Sequence, residues 1–325
     1  MIYTFGHSNY RLSEIKKIVD FYGIDIIVDV RRFPTSKYPW LTRESFEEFF
    51  GDKYLYLGDL LGGYRNGGYE THMETEEFRE GVSRIISIAK NKRVGIMCSE
   101  KLWFRCHRKF IAKAIAQMGF PVSHIIDLRD RPDPNVNFDK IKEDFFMRDA
   151  KEVAIDLLGK MIVRKFGKRI IAGKIVETEA YYGENDPASR AYRGKKNYNR
   201  GMWLPGGHIF VYMVHANWMF NITTDGQEAQ AVLIRAVEPL IGLDLMRENR
   251  KKEKIRELCT GPGKWTKAFI INQLFNEQKL EGSVFIANSP WNDFEVVDSK
   301  RIGVKRALEE NMRFYIKGSK FVSKK

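Results

Sequence analysis

The sequence predicts two domains: an N-terminal α/β domain on a mostly parallel, doubly wound sheet, then an α+β domain rich in antiparallel strands. Three observations carry this. The chain has 325 residues, more than one typical domain needs. Up to residue 128 short apolar runs alternate with helical periodicity, the pattern of a parallel sheet with helices on both faces. Beyond a polar, proline-broken stretch, longer strand patterns joined by turn signals take over.

In the first domain, residues 2–5, 24–30, 94–97 and 124–126 read as strands, with helices over 12–21 and 109–118 between them. The run Arg-Asp-Arg-Pro-Asp-Pro-Asn-Val-Asn begins at residue 129, and its two prolines break both periodicities. Residues 129–142 are therefore expected to be a linker, with domains over 1–128 and 143–325. The second domain opens with a helix: Asp149 and Glu152 have capping-box spacing, Val153, Leu157 and Leu158 supply the apolar face, and Gly159 stops it. Strands follow over 161–166 and 169–181, joined in a hairpin at Gly167-Lys168, with later strands over 209–214 and 231–237. The charged run 250–254 reads as a solvated helix face.

Hydrophobic residues make up 43% and aromatics 13%, enough for two cores, so wholesale disorder is excluded. The net charge of +13 is unevenly spread: residues 1–140 hold 22 Lys and Arg against 19 Asp and Glu, the remainder 33 against 23. The excess in the second part suits a polyanion such as nucleic acid. Three cysteines are too few for a disulfide framework. No apolar run has the length of a membrane span, and the start lacks a secretory pattern, so a cytoplasmic protein without membrane association is expected.

Residues 175–181 read Ile-Val-Glu-Thr-Glu-Ala-Tyr. Strand side chains alternate, so Glu177, Glu179 and Tyr181 share one face. A solvent-facing strand edge would give the same pattern. The apolar strand around 232–237 carries one unexplained cation, Arg235, which an internal ion pair with a glutamate would account for. A carboxylate base held by an arginine fits both features equally well.

Motifs in order along the chain narrow the choice: IVETEAYYG at 175–183, DPAS from Asp186, NRGM from Asn199, Pro205-Gly206, Val211-Tyr212, Asn221, VLIRAVEP at 232–239, GPGK from Gly261 and RFYI from Arg313. Together these resemble the alkyladenine (3-methyladenine) DNA glycosylase family over residues 143–325. The resemblance implies that family's antiparallel α+β fold, double-stranded DNA containing damaged purines as partner, no cofactor and no metal. It further implies that the purine is flipped into a pocket, because its glycosidic carbon is unreachable in the stack. Glu179 matches the glutamate that deprotonates the attacking water, and Arg235 the residue that helps hold them; a backbone carbonyl near Ile302 falls near a third water contact. Tyr181 and Tyr212 match the aromatics that sandwich the base. Asn221 matches the side chain that obstructs the 2-amino group of guanine. No lysine replaces the glutamate, which implies base removal without strand cleavage. Two places depart from the pattern. Arg190 stands where the family has a base-contacting histidine. The loop Met213-Val214-His215-Ala216 is one residue short where the family has a tyrosine wedge, and His215, ahead of Val214, is the candidate wedge.

In the first domain, His7, Asp29 with Arg31, and Cys98 follow strand ends, where ligand sites of open parallel sheets gather. Cys106, His107 and Arg108 lie at a helix start, which favours anions or a thiolate. A zinc site from two cysteines and one histidine would lack a fourth partner, and a small buried cysteine at 98 explains that residue equally well. GHSN at 6–9, DVRRFP at 29–34 and the CSE…W…CHR run at 98–108 resemble the family known as domain of unknown function 488, over residues 1–128. Two rivals to a glycosylase stay open: a damage-binding protein without turnover, and a thiol-dependent enzyme centred on the N-terminal domain.

Overall fold

The computed structural model describes residues 1–167, 169–225 and 228–324. The chain divides into two units, Met1–Asn137 and Phe138–Lys325. Among the described residues no helix is long and apolar enough to cross a membrane.

The first unit is built on six strands: β1 (Ile2–Gly6), β2 (Ile26–Asp29), β3 (Tyr54–Tyr56), β4 (Val94–Cys98), β5 (Val122–Ile126) and β6 (Arg129–Pro132). Their order is β3-β2-β4-β1-β5-β6, parallel throughout except for β6, which runs antiparallel to β5. Every residue of the central strands β1 and β4 is buried, as expected for a sheet covered on both faces. Helices Leu12–Tyr22 and Arg108–Gln117 lie where periodicity puts them. Helices Arg43–Phe50 and Glu76–Ala89 add to the reading, each capped by a threonine, Thr42 or Thr75, that accepts from the third residue on.

The expected linker needs correction at its start. Residues 129–132 form β6, joined to β5 by Asp127 and Leu128, both with positive φ (52° and 59°). A tight turn of this hand usually carries Asn-Gly, so Asp-Leu gave no hairpin signal. The polar run is fastened to the sheet by side chains: Ser123 donates to Asp130 at 3.1 Å, and His124 Nε2 lies 3.0 Å from Asp133. The first unit therefore extends to residue 137.

The second unit holds one eight-stranded sheet: β7 (Met161–Phe166), β8 (Arg169–Tyr181), β9 (Ile209–Val214), β10 (Asn217–Thr224), β11 (Gln230–Ile241), β12 (Val284–Ala287), β13 (Val296–Ser299) and β14 (Arg313–Ile316). All pairings are antiparallel, in the order β12-β7-β8-β11-β10-β9. The long β8 pairs with β7 through its first half and with β14 at residues 177–179. The hairpin between β7 and β8 turns at Gly167 (φ 57°); Lys168 lies outside the described residues. Helix Ala150–Asp156 is capped by Asp149, whose carboxylate accepts from Lys151 N at 2.8 Å. Gly159 ends that segment at φ 82°, and a Cβ there would lie 2.6 Å from the Trp291 carbonyl oxygen. The charged run 250–254 is not a helix face: helix Leu243–Arg250 ends on its first residue, and residues 251–254 are exposed loop.

The core lies on one face of this sheet. Phe220, Ile222, Val232 and Ile234 pack there with Trp265 and Phe269, and the Trp265 indole donates to Ile234 O at 2.8 Å. The opposite face carries the candidate site.

Candidate active site

Strand register assembles the site. Residues opposite one another in antiparallel strands share a face. Glu179 on β8 opposes Leu233 on β11, Leu233 opposes Asn221 on β10, and Asn221 opposes Phe210 on β9. These four form a row across the sheet. Tyr181, opposite Ala231, flanks the row on one side; Tyr212, opposite Met219, flanks it on the other. Tyr181, Phe210 and Leu233 cluster with Ala191 and Met202, with Tyr212 and Met219 packed against them.

Into this apolar face the chain sets a fully buried carboxylate. Glu179 Oε2 accepts from the Tyr181 hydroxyl at 2.7 Å and from Arg235 Nη1 at 3.1 Å, and Oε1 accepts from the Ile302 amide at 2.8 Å. Burial pushes the Glu179 carboxyl above its ordinary range, while Arg235, the Ile302 amide and Tyr181 pull against it. Burial, and next the Glu179 charge, raise the Tyr181 phenol well above the usual tyrosine range. Of Ile302, it is the amide N–H that reaches Glu179.

Arg235 is aimed by a β-bulge. Ile234 opposes Thr178 and Ala236 opposes Glu177, so Arg235 is the extra residue between them. Its guanidinium spans both carboxylates, with Nε 3.1 Å from Glu177 Oε1. Glu177, also fully buried, accepts in addition from Arg313 Nε at 2.7 Å, from the Ser323 amide at 2.6 Å and from its hydroxyl at 2.9 Å. Glu177 is thus saturated and anchors the arginine, whereas Glu179 faces the aromatic pair.

Arg301 was not singled out in the sequence. It forms a buried two-pronged ion pair with Asp186 of the DPAS motif (2.5 and 2.7 Å), donates to Ala180 O at 3.0 Å and lies 4.6 Å over the Tyr181 ring. Asp186 also accepts from the amides of Tyr182 and Ala188. Nothing local marked Arg301, because its partner is 115 residues away. Asn199 of the NRGM motif donates to Arg190 O at 2.7 Å and accepts from Lys196 N, which pins the loop after Asp186.

Arg190 is exposed and stacks its guanidinium 4.5 Å from the Tyr212 ring centroid. Burial raises the Tyr212 phenol, and Arg190 opposes that shift. Asn221 is buried, its side-chain amide donating to Phe210 O at 3.0 Å. His215 and Ala216 are the two turn residues between β9 and β10, both exposed and both with positive φ (46° and 58°). Cys259 is fully buried beside Met246.

The first unit has a separate cleft of about 790 Å³, lined among others by His7, Arg31, Cys98, Cys106 and His107. The other two residues singled out there stand behind its wall. Asp29 binds Arg31 (Nη2–Oδ2 2.6 Å) and accepts from the Tyr54 hydroxyl at 2.7 Å. Arg108, fully buried, donates to Glu100 O and places Nε 3.4 Å from Cys106 Sγ. His7 Nδ1 donates to Ser8 O, which leaves Nε2 to accept from Arg31 Nη1 at 3.3 Å. Burial, with Arg31, lowers His7 to about 4, so its ring is neutral at physiological pH. Contact with Cys98 holds the Cys106 thiol well below its ordinary range, while the same contact and burial push Cys98 up.

Comparison with known proteins agrees with this division. The family model described as methylpurine-DNA glycosylase matches residues 144–320, and the one described as domain of unknown function DUF488 matches residues 11–115. A protein of Carboxydothermus hydrogenoformans is 40% identical over 186 residues, covering 56% of this chain and 97% of its own length. One from Methanoculleus marisnigri is 39% identical over 188 residues, with 56% and 97% covered. One from Borrelia garinii subsp. bavariensis is 42% identical over 190 residues, with 56% and 98% covered. Each bears the name "Putative 3-methyladenine DNA glycosylase". Through its second unit the chain belongs to the methylpurine-DNA glycosylase family, DNA-repair hydrolases that cleave N-glycosidic bonds.

Proposed function

We propose that the second unit is a monofunctional glycosylase that flips damaged purines, alkylated or deaminated, out of double-stranded DNA and hydrolyses their bond to the sugar, leaving the strand intact. The observation that carries this reading is Glu179: a buried carboxylate on an apolar sheet face, supplied with three donors and flanked by two tyrosines. Glycosidic cleavage passes through a cation-like sugar, which a nearby carboxylate stabilises while it takes a proton from water. A raised carboxyl pKa brings that base closer to its working range, and Arg235 favours its ionised form. Tyr181 and Tyr212 sandwich the flipped base, Asn221 stands against the 2-amino group of guanine, Arg190 borders the pocket at Tyr212, and His215 fills the gap left in the duplex. No cofactor enters this scheme.

The test is incubation of wild type and Glu179→Gln with duplexes carrying hypoxanthine, ethenoadenine or methylated purines, scoring free base, abasic sites and nicks. Wild type should yield base and abasic sites without nicks. The amide keeps the shape of the side chain but takes no proton, so Glu179→Gln should bind damaged duplex and release no base. Near-normal turnover by the variant would overturn the assignment of the base. Wild type that binds without release would favour a damage-binding protein.

A further inference from the structure

The N-terminal cleft holds chemistry that base excision does not use. Cys98 closes β4, and Cys106 with His107 opens helix Arg108–Gln117. This brings Cys98 Sγ, Cys106 Sγ and a His107 ring nitrogen within 4.8 Å of one another, with Cys106 Sγ 3.7 Å from Nδ1. Around zinc, bonds of about 2.3 Å to sulfur and about 2.0 Å to nitrogen separate tetrahedral ligand atoms by about 3.4–3.8 Å. The three atoms are therefore within about 1 Å of closing on a single ion.

A second, independent feature points the same way. His107 Nε2 donates to Val30 O at 2.9 Å, which leaves Nδ1 as the lone-pair nitrogen directed at the sulfurs. Metal-bound histidines make this same outer contact to a carbonyl, fixing tautomer and ring orientation together. The Arg108 N–H against Cys106 Sγ is a donor of the kind that disperses charge on a bound thiolate. At the sequence level the missing fourth protein ligand spoke against zinc. The cleft removes that objection, because all three groups line it and a catalytic-type zinc keeps one position open.

We propose that Cys98, Cys106 and His107 form a zinc site with three protein ligands, its fourth position open to the cleft and to a small anion. Two thiolates and an imidazole neutralise the ion. Besides Arg31, which is paired with Asp29, the walls carry Arg32, Lys37 and Arg105 against the lining acid Glu100, which selects a phosphate- or carboxylate-bearing fourth ligand. Protons compete with the metal for thiolate and imidazole ligands, so affinity falls as pH is lowered.

The test uses the full chain, reduced and stripped of metal, titrated with Co²⁺. One equivalent should produce a thiolate-to-cobalt charge-transfer band and the strong visible bands of tetrahedral cobalt, both erased by Zn²⁺. Inorganic phosphate should shift the visible bands. Cys98→Ser and Cys106→Ser should each abolish the charge-transfer band. Because these variants risk misfolding, wild type supplies a second measurement. Zn²⁺ should protect Cys98 and Cys106 from alkylation and leave Cys259 labelling unchanged. Absence of both the band and the protection would overturn the proposal. So would conversion of Cys98 and Cys106 to a disulfide by a hydroperoxide in protein that binds no metal, which would assign the pair to redox chemistry.

Discussion

Glu179 shows how opposing forces set a working carboxylate. Desolvation raises its pKa; the Arg235 guanidinium is the largest influence in the other direction. A general base works above its pKa, so a raised pKa moves the acidic limb of kcat upward, above the range of an ordinary glutamate near about 4.3. Removing the opposing cation in Arg235→Met should move that limb to still higher pH, which a pH profile of single-turnover base release would show; an unmoved limb would mean that Glu179 is not the titrating base. Arg190 presents a different question, since arginine only donates where histidine can also accept. Its stacking on Tyr212 puts it beside the proposed base site. It should favour bases that present acceptors, as hypoxanthine does at O6 and N7. Arg190→His should lower the ratio of hypoxanthine to 3-methyladenine release ten- to a hundredfold, the effect of mispaired polar groups worth about 1–3 kcal/mol. An unchanged ratio would mean that Arg190 does not read the base. At this scale the sequence was legible where partners are close in sequence or bound to a strand period: Glu177, Glu179 and Tyr181 on one face, and Arg235 as a cation needing a glutamate. Arg301, Arg313 and Ser323 were not, because they meet their carboxylates across 115, 136 and 146 residues.

Among elements, the hydrophobic period located both sheets, while turns without glycine hid strands from view. β6 escaped behind Asp127-Leu128 and β10 behind His215-Ala216, two-residue turns in which L-residues adopt positive φ. Such a conformation costs an L-residue on the order of 1 kcal/mol, so it persists where the hairpin or its task requires it. Ala216→Gly should therefore raise the unfolding midpoint, by about 1 kcal/mol of stability in denaturant titration, and an unchanged midpoint would mean that the turn stores no such strain. His215→Ala leaves that backbone cost in place and removes only the exposed ring. If His215 occupies the gap of a flipped base, excision should slow more on fully paired duplex than on a mismatched or single-stranded substrate, where unstacking costs less. Equal slowing on all three would remove the histidine from the flipping step. The bulge at Arg235 belongs to this scale too. An alternation pattern gives the face of a residue but not an inserted one, so the double reach of Arg235 to Glu177 and Glu179 is visible only in the register.

For the whole molecule, charge and core divide along the same line. Residues 138–325 carry a net charge of +10 against +3 for residues 1–137, and that unit has its own core beneath the sheet face opposite Glu179. Every side chain assigned to base excision lies inside it, as do their hydrogen-bond partners. Residues 138–325 expressed alone should therefore fold and excise bases at a rate close to that of the full chain. Cutting at 143, where a linker reading places the boundary, would remove Lys140 and Ile141, which pair with Ala287 and Ile286, and should give a less stable fragment. Binding to damaged duplex should weaken steeply with salt, because phosphate contacts release counterions. About six such contacts correspond to roughly a thousandfold loss between about 50 and 200 mM. The measurement is a pair of titrations, fragment and full chain, on the same lesion across salt concentrations, with excision scored at each point. Parallel slopes and equal turnover would place DNA recognition wholly in the second unit. An inactive but folded fragment beside an active full chain would mean that the first unit supplies part of the site, and a shallow slope would mean that the basic excess does not face DNA.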